Sequence, residues 1–170
     1  RGDLYGIVRL KKSTAVELSA KGEMYAFFTP LALLRIPATH EEYISGLCSQ
    51  SRNKIKKSEH YEYEFSEFNW NDHLDEIYQI NTSKEIRQGE YMRGWYREPV
   101  LERDPSEEEL QYYKYYGAFK GGILVAYLHF WKCGQFAVTK HVIGHADHLR
   151  YGIMNGLIAW TVQKCILQPD

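Results

Sequence analysis

The chain has 170 residues, 44% of them hydrophobic and 25% charged, which is the composition of one domain built on a single core. Its 21 Lys and Arg nearly balance 22 Asp and Glu, so no net field is available to hold it on nucleic acid or on an anionic membrane. No run approaches the ~20 apolar residues of a membrane span, and the start carries no signal-peptide pattern. Cys48, Cys133 and Cys165 are too few and too far apart for a disulfide framework or a cysteine zinc site, and they read as reduced thiols of a cytoplasmic protein.

Leu4 to Leu10 and Glu23 to Phe28 read as strands with a turn at Lys21-Gly22, and Leu31 to Ile36 as a third strand ending at Pro37. Thr39 and Glu42 match a capping box, and Tyr43, Ile44, Leu47 and Cys48 follow at helical spacing. Together they predict one helix from Thr39 to Ser58. Its second half carries Arg52, Lys54, Lys56 and Lys57, a cluster suited to a phosphate-bearing ligand, although a solvated helix end is the commoner meaning of such a run. Tyr61, Tyr63, Phe65 and Phe68 largely alternate with Glu62, Glu64 and Glu67, as in a strand with one buried face. Asn71 then caps a second helix, with Leu74, Ile77, Tyr78 and Asn81 on its inner face.

From Arg87 to Pro105 the periodicity is lost. Arg87, Tyr91, Arg93, Trp95, Tyr96 and Arg97 interleave cations and aromatic rings in this connection, a composition suited to an anionic or planar ligand. A short helix is expected over Ser106 to Tyr113. Tyr115 to Phe119 and Ile123 to Trp131 then flank Lys120-Gly121-Gly122 as a hairpin, and Gln135 to Ile143 forms a further strand. The loop Gly144-His145-Ala146-Asp147-His148 leads into a helix from Leu149 to Ile166 that is apolar on most faces, hence a buried helix against the sheet. His141, His145, Asp147 and His148 crowd four potential metal ligands together, but strand alternation turns His141 and Ile143 to one face and no second cluster closes a coordination sphere. No metal is expected.

The run from Tyr115 to Trp160, YYGAFKGGILVAYLHFWKCGQFAVTKHVIGHADHLRYGIMNGLIAW, resembles the middle of the GNAT acyl-CoA N-acyltransferase fold, most of all its FemAB-like branch. Counterparts of SRNKIKKSE and INTSKEIRQG extend the resemblance over about Pro37 to Ile166. It implies a mixed α/β (α+β) domain over residues 1–170, with a mainly antiparallel sheet around a central buried helix. The first 36 residues form N-terminal strands outside the resemblance. Domains of this type continue past the corresponding helix with further strands, so the resemblance also implies an incomplete domain.

The implied reaction is direct attack of an amine on a thioester or ester carbonyl. Backbone N–H groups near Val142, Ile143 and Gly144 would steady the oxyanion, and Arg150 and Gly152 would lie against the donor. The candidate proton acceptors are His145, His148, Tyr151 and Glu90, and Arg87, Tyr91, Arg93, Trp95 and Tyr96 are the candidate substrate contacts. Acyl-CoA or acetyl-CoA is the implied donor and a small-molecule amine the acceptor. Placing the middle glycine of the family's acetyl-CoA signature on Gly152, however, puts Leu149 where a basic or amide residue is usual and Met154 where a small one is. Arg150 falls one residue out of register. These departures bring in other carriers, such as aminoacyl-tRNA. They also favour the competing reading, a non-catalytic GNAT-like module that binds a ligand or partner.

Overall fold

The computed structural model describes residues 5–7, 32–87, 89–106, 112–133 and 136–167. The chain divides into two compact units, Arg1–Gly46 and Leu47–Asp170.

In the first unit, β1 (Tyr5–Ile7) pairs antiparallel with β2 (Ala32–Leu34), Tyr5 opposite Leu34. The expected strand over Glu23 to Phe28 and its turn lie outside the described residues. Helix α1 (His40–Gly46) starts as its sequence directs: Thr39 Oγ1 accepts from the Glu42 N–H at 3.1 Å, and Glu42 Oε2 accepts from the Ala38 N–H at 3.2 Å.

The single helix expected from Thr39 to Ser58 is in fact two, because the chain turns extended at Cys48 (φ −63°, ψ 156°) and begins again as α2 (Ser49–His60). Gly46 ends the first helix and Cys48 caps the second, with its thiol beside Ser51 Oγ at 3.3 Å and the Arg52 guanidinium donating to the Leu47 carbonyl. Apolar periodicity runs unbroken through this break, which is why the sequence concealed it.

The second unit is organised by an antiparallel sheet in the order β3–β6–β7–β8, formed by Glu64–Glu67, Tyr113–Lys120, Ile123–Cys133 and Phe136–Gly144. The architecture is mixed α/β, as expected. Gly121 and Gly122, both at positive φ, make the hairpin turn between β6 and β7. Of the expected helix over Ser106 to Tyr113, residues 107–111 lie outside the described set, and Tyr113 itself is the first residue of β6.

One face of the sheet buries Tyr116, Ala118, Ala126, Leu128 and Phe130 against Ile153 and Leu157 of α5 (Ile153–Leu167). The opposite face buries Leu124, Tyr127 and Ile143 against Trp70 and against Ile77 and Ile80 of α3 (Leu74–Thr82). A 3₁₀ turn, Trp70–His73, leads into α3 and is capped by Asn69, two residues before the expected Asn71. On α3 it is Ile80, not Tyr78, that joins Ile77 and Asn81 inside; Tyr78 is exposed.

The last helix does not begin at Leu149. A one-turn helix α4 (Ala146–Leu149) ends, Gly152 takes φ +78°, and α5 starts at Ile153. Gly152 is required twice over, since an L side chain strains at that φ and a Cβ there would fall on the Lys54 carbonyl of α2. One turn later, a Cβ on Gly156 would fall on the Ser58 hydroxyl. The two glycines let α2 lie against the start of α5.

Candidate functional site

β8 is the last strand of its sheet, so one side of its backbone lacks a partner strand among the described residues. The His145 N–H bonds to the Val125 carbonyl at 2.8 Å, and the alternation of an antiparallel ladder then turns the N–H and C=O of Gly144 to the unpaired side. Arg87 of β4 (Ile86–Arg87) meets that carbonyl. Its Nη1 donates to Gly144 O at 2.9 Å, and its Nη2 donates to Ile80 O at 2.9 Å and to Ser83 Oγ at 3.1 Å. Ser83 Oγ also accepts from the Ala146 N–H at 3.0 Å, so the end of α3, the edge of β8 and the start of the loop are tied at one point. Gly144 is buried, and a Cβ there would approach Met154 Sδ to 2.6 Å and Leu149 Cδ2 to 3.2 Å.

In the loop, His145 caps α4, its Nδ1 accepting from the Asp147 N–H at 3.4 Å. His148 Nδ1 and the Tyr63 hydroxyl share a hydrogen bond of 2.8 Å, and the two imidazoles lie 5.9 Å apart. Burial first, and then His145, hold the His148 pKa below the ordinary histidine value.

Tyr151 lies 4.1 Å from the Tyr61 ring, with the Arg150 guanidinium 4.6 Å and Lys57 Nζ 5.7 Å from its centre. The basic half of α2 and Arg150, separate in sequence, thus converge at the start of α5, where Gly152 packs on Lys54. This is a cation-rich, aromatic surface suited to an anionic group.

The connection after α3 folds onto the other face of the sheet. Glu90 and Tyr91 form β5, paired with β4; both are exposed, as is Arg93. A 3₁₀ turn, Gly94–Arg97, then stacks Trp95 on Tyr96 at 3.7 Å. The Tyr96 hydroxyl and His141 Nδ1 are 2.9 Å apart, and Trp95 meets the His141 ring edge-on at 5.3 Å.

His141 is reached because β8 bulges. Tyr127 pairs with Ile143 and His129 with Lys140, which leaves one extra residue in β8, and His141 takes φ 51°. Behind it, His129 is 7% exposed and its pKa is lowered to about 4, by burial first and then by Arg103. Burial also lowers the pKa of His141 and raises that of Tyr96.

The structure therefore separates the sequence-derived candidates into four places. Val142, Ile143, Gly144 and Arg87 lie along the end of β8. His145, His148, Tyr151, Arg150 and Gly152 lie along the loop and the start of α5. Trp95 and Tyr96 lie against His141, while Glu90, Tyr91 and Arg93 are apart on the exposed connection. The sequence reading weighed His141 only as a metal ligand and passed over His129. Its one available signal was a histidine in the otherwise apolar strand Ile123 to Trp131. Among the described residues no group of three or more His, Cys, Asp or Glu is placed to hold a metal, and no helix is long and apolar enough to cross a membrane.

No protein-family model and no curated protein sequence matches the chain. Among solved structures, the chain is similar to a ribosomal-protein-alanine N-acetyltransferase from Brucella melitensis biovar Abortus 2308. The two share 17% identity with a TM-score of 0.44, over 63% of this chain and 74% of that one.

Proposed function

We propose that this chain is an N-acyltransferase of the GNAT type, in its FemAB-like branch, moving an acyl group from an activated carrier directly to an amine. The observation that carries the reading is the end of β8: an unpaired backbone edge at Gly144 that runs through a tight loop into α5, beside converged cations. An acyl carbonyl laid along that edge would meet the Gly144 N–H, the kind of fixed donor that stabilises a developing oxyanion. Arg87 fixes the strand end on that same edge, through the Gly144 carbonyl. The reaction then needs orientation and a proton acceptor, and no covalent intermediate.

Acyl-CoA, acetyl-CoA included, is the donor this reading names first. Its phosphates would rest on Arg150 and Lys57, because the backbone at Gly152 is taken up by the Lys54 carbonyl, an oxygen that repels phosphate. An aminoacyl-tRNA would use the same cations. Of the candidates beside the Gly144 edge, His145 Nδ1 accepts from the Asp147 N–H, His148 Nδ1 is bonded to the Tyr63 hydroxyl, and Tyr151 packs on the Tyr61 ring. The reading also takes the protein to be cytoplasmic. A second reading, a ligand-binding module without turnover, is favoured by Met154, a bulky side chain packed against Gly144 beside that edge.

Calorimetric titration with CoA and acetyl-CoA, with amine-dependent thiol release measured alongside, tests the proposal. The expected result is micromolar binding that Arg150→Ala weakens by about 10- to 100-fold, the range of one charge-assisted hydrogen bond. No binding by the wild type, with binding gained in Met154→Gly, would exclude CoA as the native donor and favour the binding module or another carrier.

A further inference from the structure

On the α3 side of the sheet, a row of rings crosses three strands. Trp70 packs on Tyr115 of β6 at 4.9 Å, Tyr115 stacks on His129 of β7 at 4.9 Å, and His129 lies parallel to His141 of β8 at 6.3 Å and 9°. Trp95 and Tyr96 close the row at the edge of the sheet. Two features of this row have no role in the core. His129 Nε2 is buried with no hydrogen-bond partner among the described residues. His141 holds a left-handed backbone inside a strand, which costs a non-glycine residue about 1–2 kcal/mol. A bulge re-aims a side chain, and here it brings an imidazole to the Tyr96 hydroxyl three residues before Gly144. His141 and Gly144 thus lie on the same end of β8, the strand that carries both.

We propose that His141 is the proton acceptor for the attacking amine, with its Nδ1–H donating to the Tyr96 hydroxyl oxygen and its Nε2 lone pair kept for substrate, and that Tyr96 is the residue that positions it. The assignment rests on the acyl-transfer reading. The amine arrives as an ammonium and gives one proton to Nε2. The freed nitrogen lone pair forms the C–N bond as the carbonyl–sulfur bond breaks. The departing thiolate takes a second proton from that nitrogen to become a thiol, and His141 returns its proton to solvent. A carrier ester follows the same course with an alcohol leaving.

The surroundings keep the acceptor ready. The groups facing His141 are Tyr96 and Trp95 from the 3₁₀ turn, His129 from β7, Lys140 on its own strand and Arg103 from the connection. None of these is an anion, and burial first, then Arg103 and Lys140, disfavour the imidazolium, so the ring is uncharged at neutral pH. His141 is half-buried, whereas His129 behind it is closed to substrate.

The test joins an activity and a spectroscopic measurement. Thiol release from acetyl-CoA with benzylamine as the probe amine is followed against pH for the wild type, His141→Gln and Tyr96→Phe. The ring ¹⁵N shifts of wild-type His141 report its tautomer without any variant. The expected results are an acidic limb below pH 6.5, a loss of about 10²–10⁴-fold in kcat with little change in KM in His141→Gln, and the Nδ1–H tautomer in the wild type. Tyr96→Phe is expected to move the limb to lower pH, since the imidazolium loses an acceptor. Amine-dependent release that His141→Gln leaves unchanged, or a wild-type Nε2–H tautomer, overturns this assignment and leaves acyl transfer standing. No amine-dependent release by the wild type overturns this assignment together with transfer from acetyl-CoA.

Discussion

Replacing Gly152 with Ala puts two interpretations of one glycine in opposition. By resemblance it is the glycine over which a donor pyrophosphate passes; in the structure it is the point where α2 touches the start of α5. The substitution carries two separable costs. A non-glycine residue at φ +78° costs about 1–2 kcal/mol. The new Cβ falls on the Lys54 carbonyl, which is backbone and cannot rotate away, so α2 has to shift, and overpacking of this kind costs about 1–3 kcal/mol. The expected destabilisation is about 3 kcal/mol, or roughly 10–15 °C in Tm for a cooperative unit of this size. Thermal unfolding by circular dichroism measures it. Gly152→Asn separates the two costs, because Asn tolerates the left-handed region and keeps only the overlap, so it should lie between Ala and wild type. A Tm for Gly152→Ala within about 2 °C of wild type, with loss of CoA binding alone, would refute the packing argument and restore the glycine to the donor site.

Arg87→Ala removes a guanidinium that donates to Gly144 O, Ile80 O and Ser83 Oγ. The denaturant midpoint should fall by the equivalent of about 2–4 kcal/mol, and Arg87→Lys should recover little, because one ammonium cannot span three acceptors. An unchanged midpoint with altered ligand binding would instead make Arg87 a substrate contact. The His129 imidazole, held at about 4 against an ordinary 6.5, makes stability depend on pH. Between those values the unfolded chain binds a proton that the folded chain refuses. Stability present above pH 6.5 is therefore lost as pH falls towards 4, by no more than about 3 kcal/mol. In His129→Phe, which keeps a ring in the stack, urea midpoints should lose this contribution to the slope between pH 6.5 and 4; an unchanged slope would mean that His129 titrates normally.

The elements that hold the second unit together were legible because each repeats a simple pattern. Tyr115 to Trp131 alternates about a Gly-Gly turn, and Ile153 to Val162 is too apolar to face water. Boundaries were less legible where a local contact overrode the pattern. Cys48 could continue a helix by spacing, yet the Arg52 guanidinium bonding to the Leu47 carbonyl and the Ser51 hydroxyl beside its thiol favour an extended residue there. Gly152 looked like part of a nucleotide signature because the sequence does not say which helix passes across it.

The candidate site divides in the same way. Residues close in sequence to the β8 loop could be nominated from the strand–loop–helix order, since that order places backbone amides at one spot whatever the side chains are. His141 could not, because a period of two assumes that no residue is inserted, and one extra residue re-aims the side chain that follows it. The cue for such a bulge is normally a glycine at the left-handed position, and here that position is a histidine. Its value shows only when Tyr96, forty-five positions earlier, is seen 2.9 Å away. A strained backbone at a side chain with chemistry to offer is where reading by pattern fails and reading by contact has to begin, and this sheet spends its strain at His141.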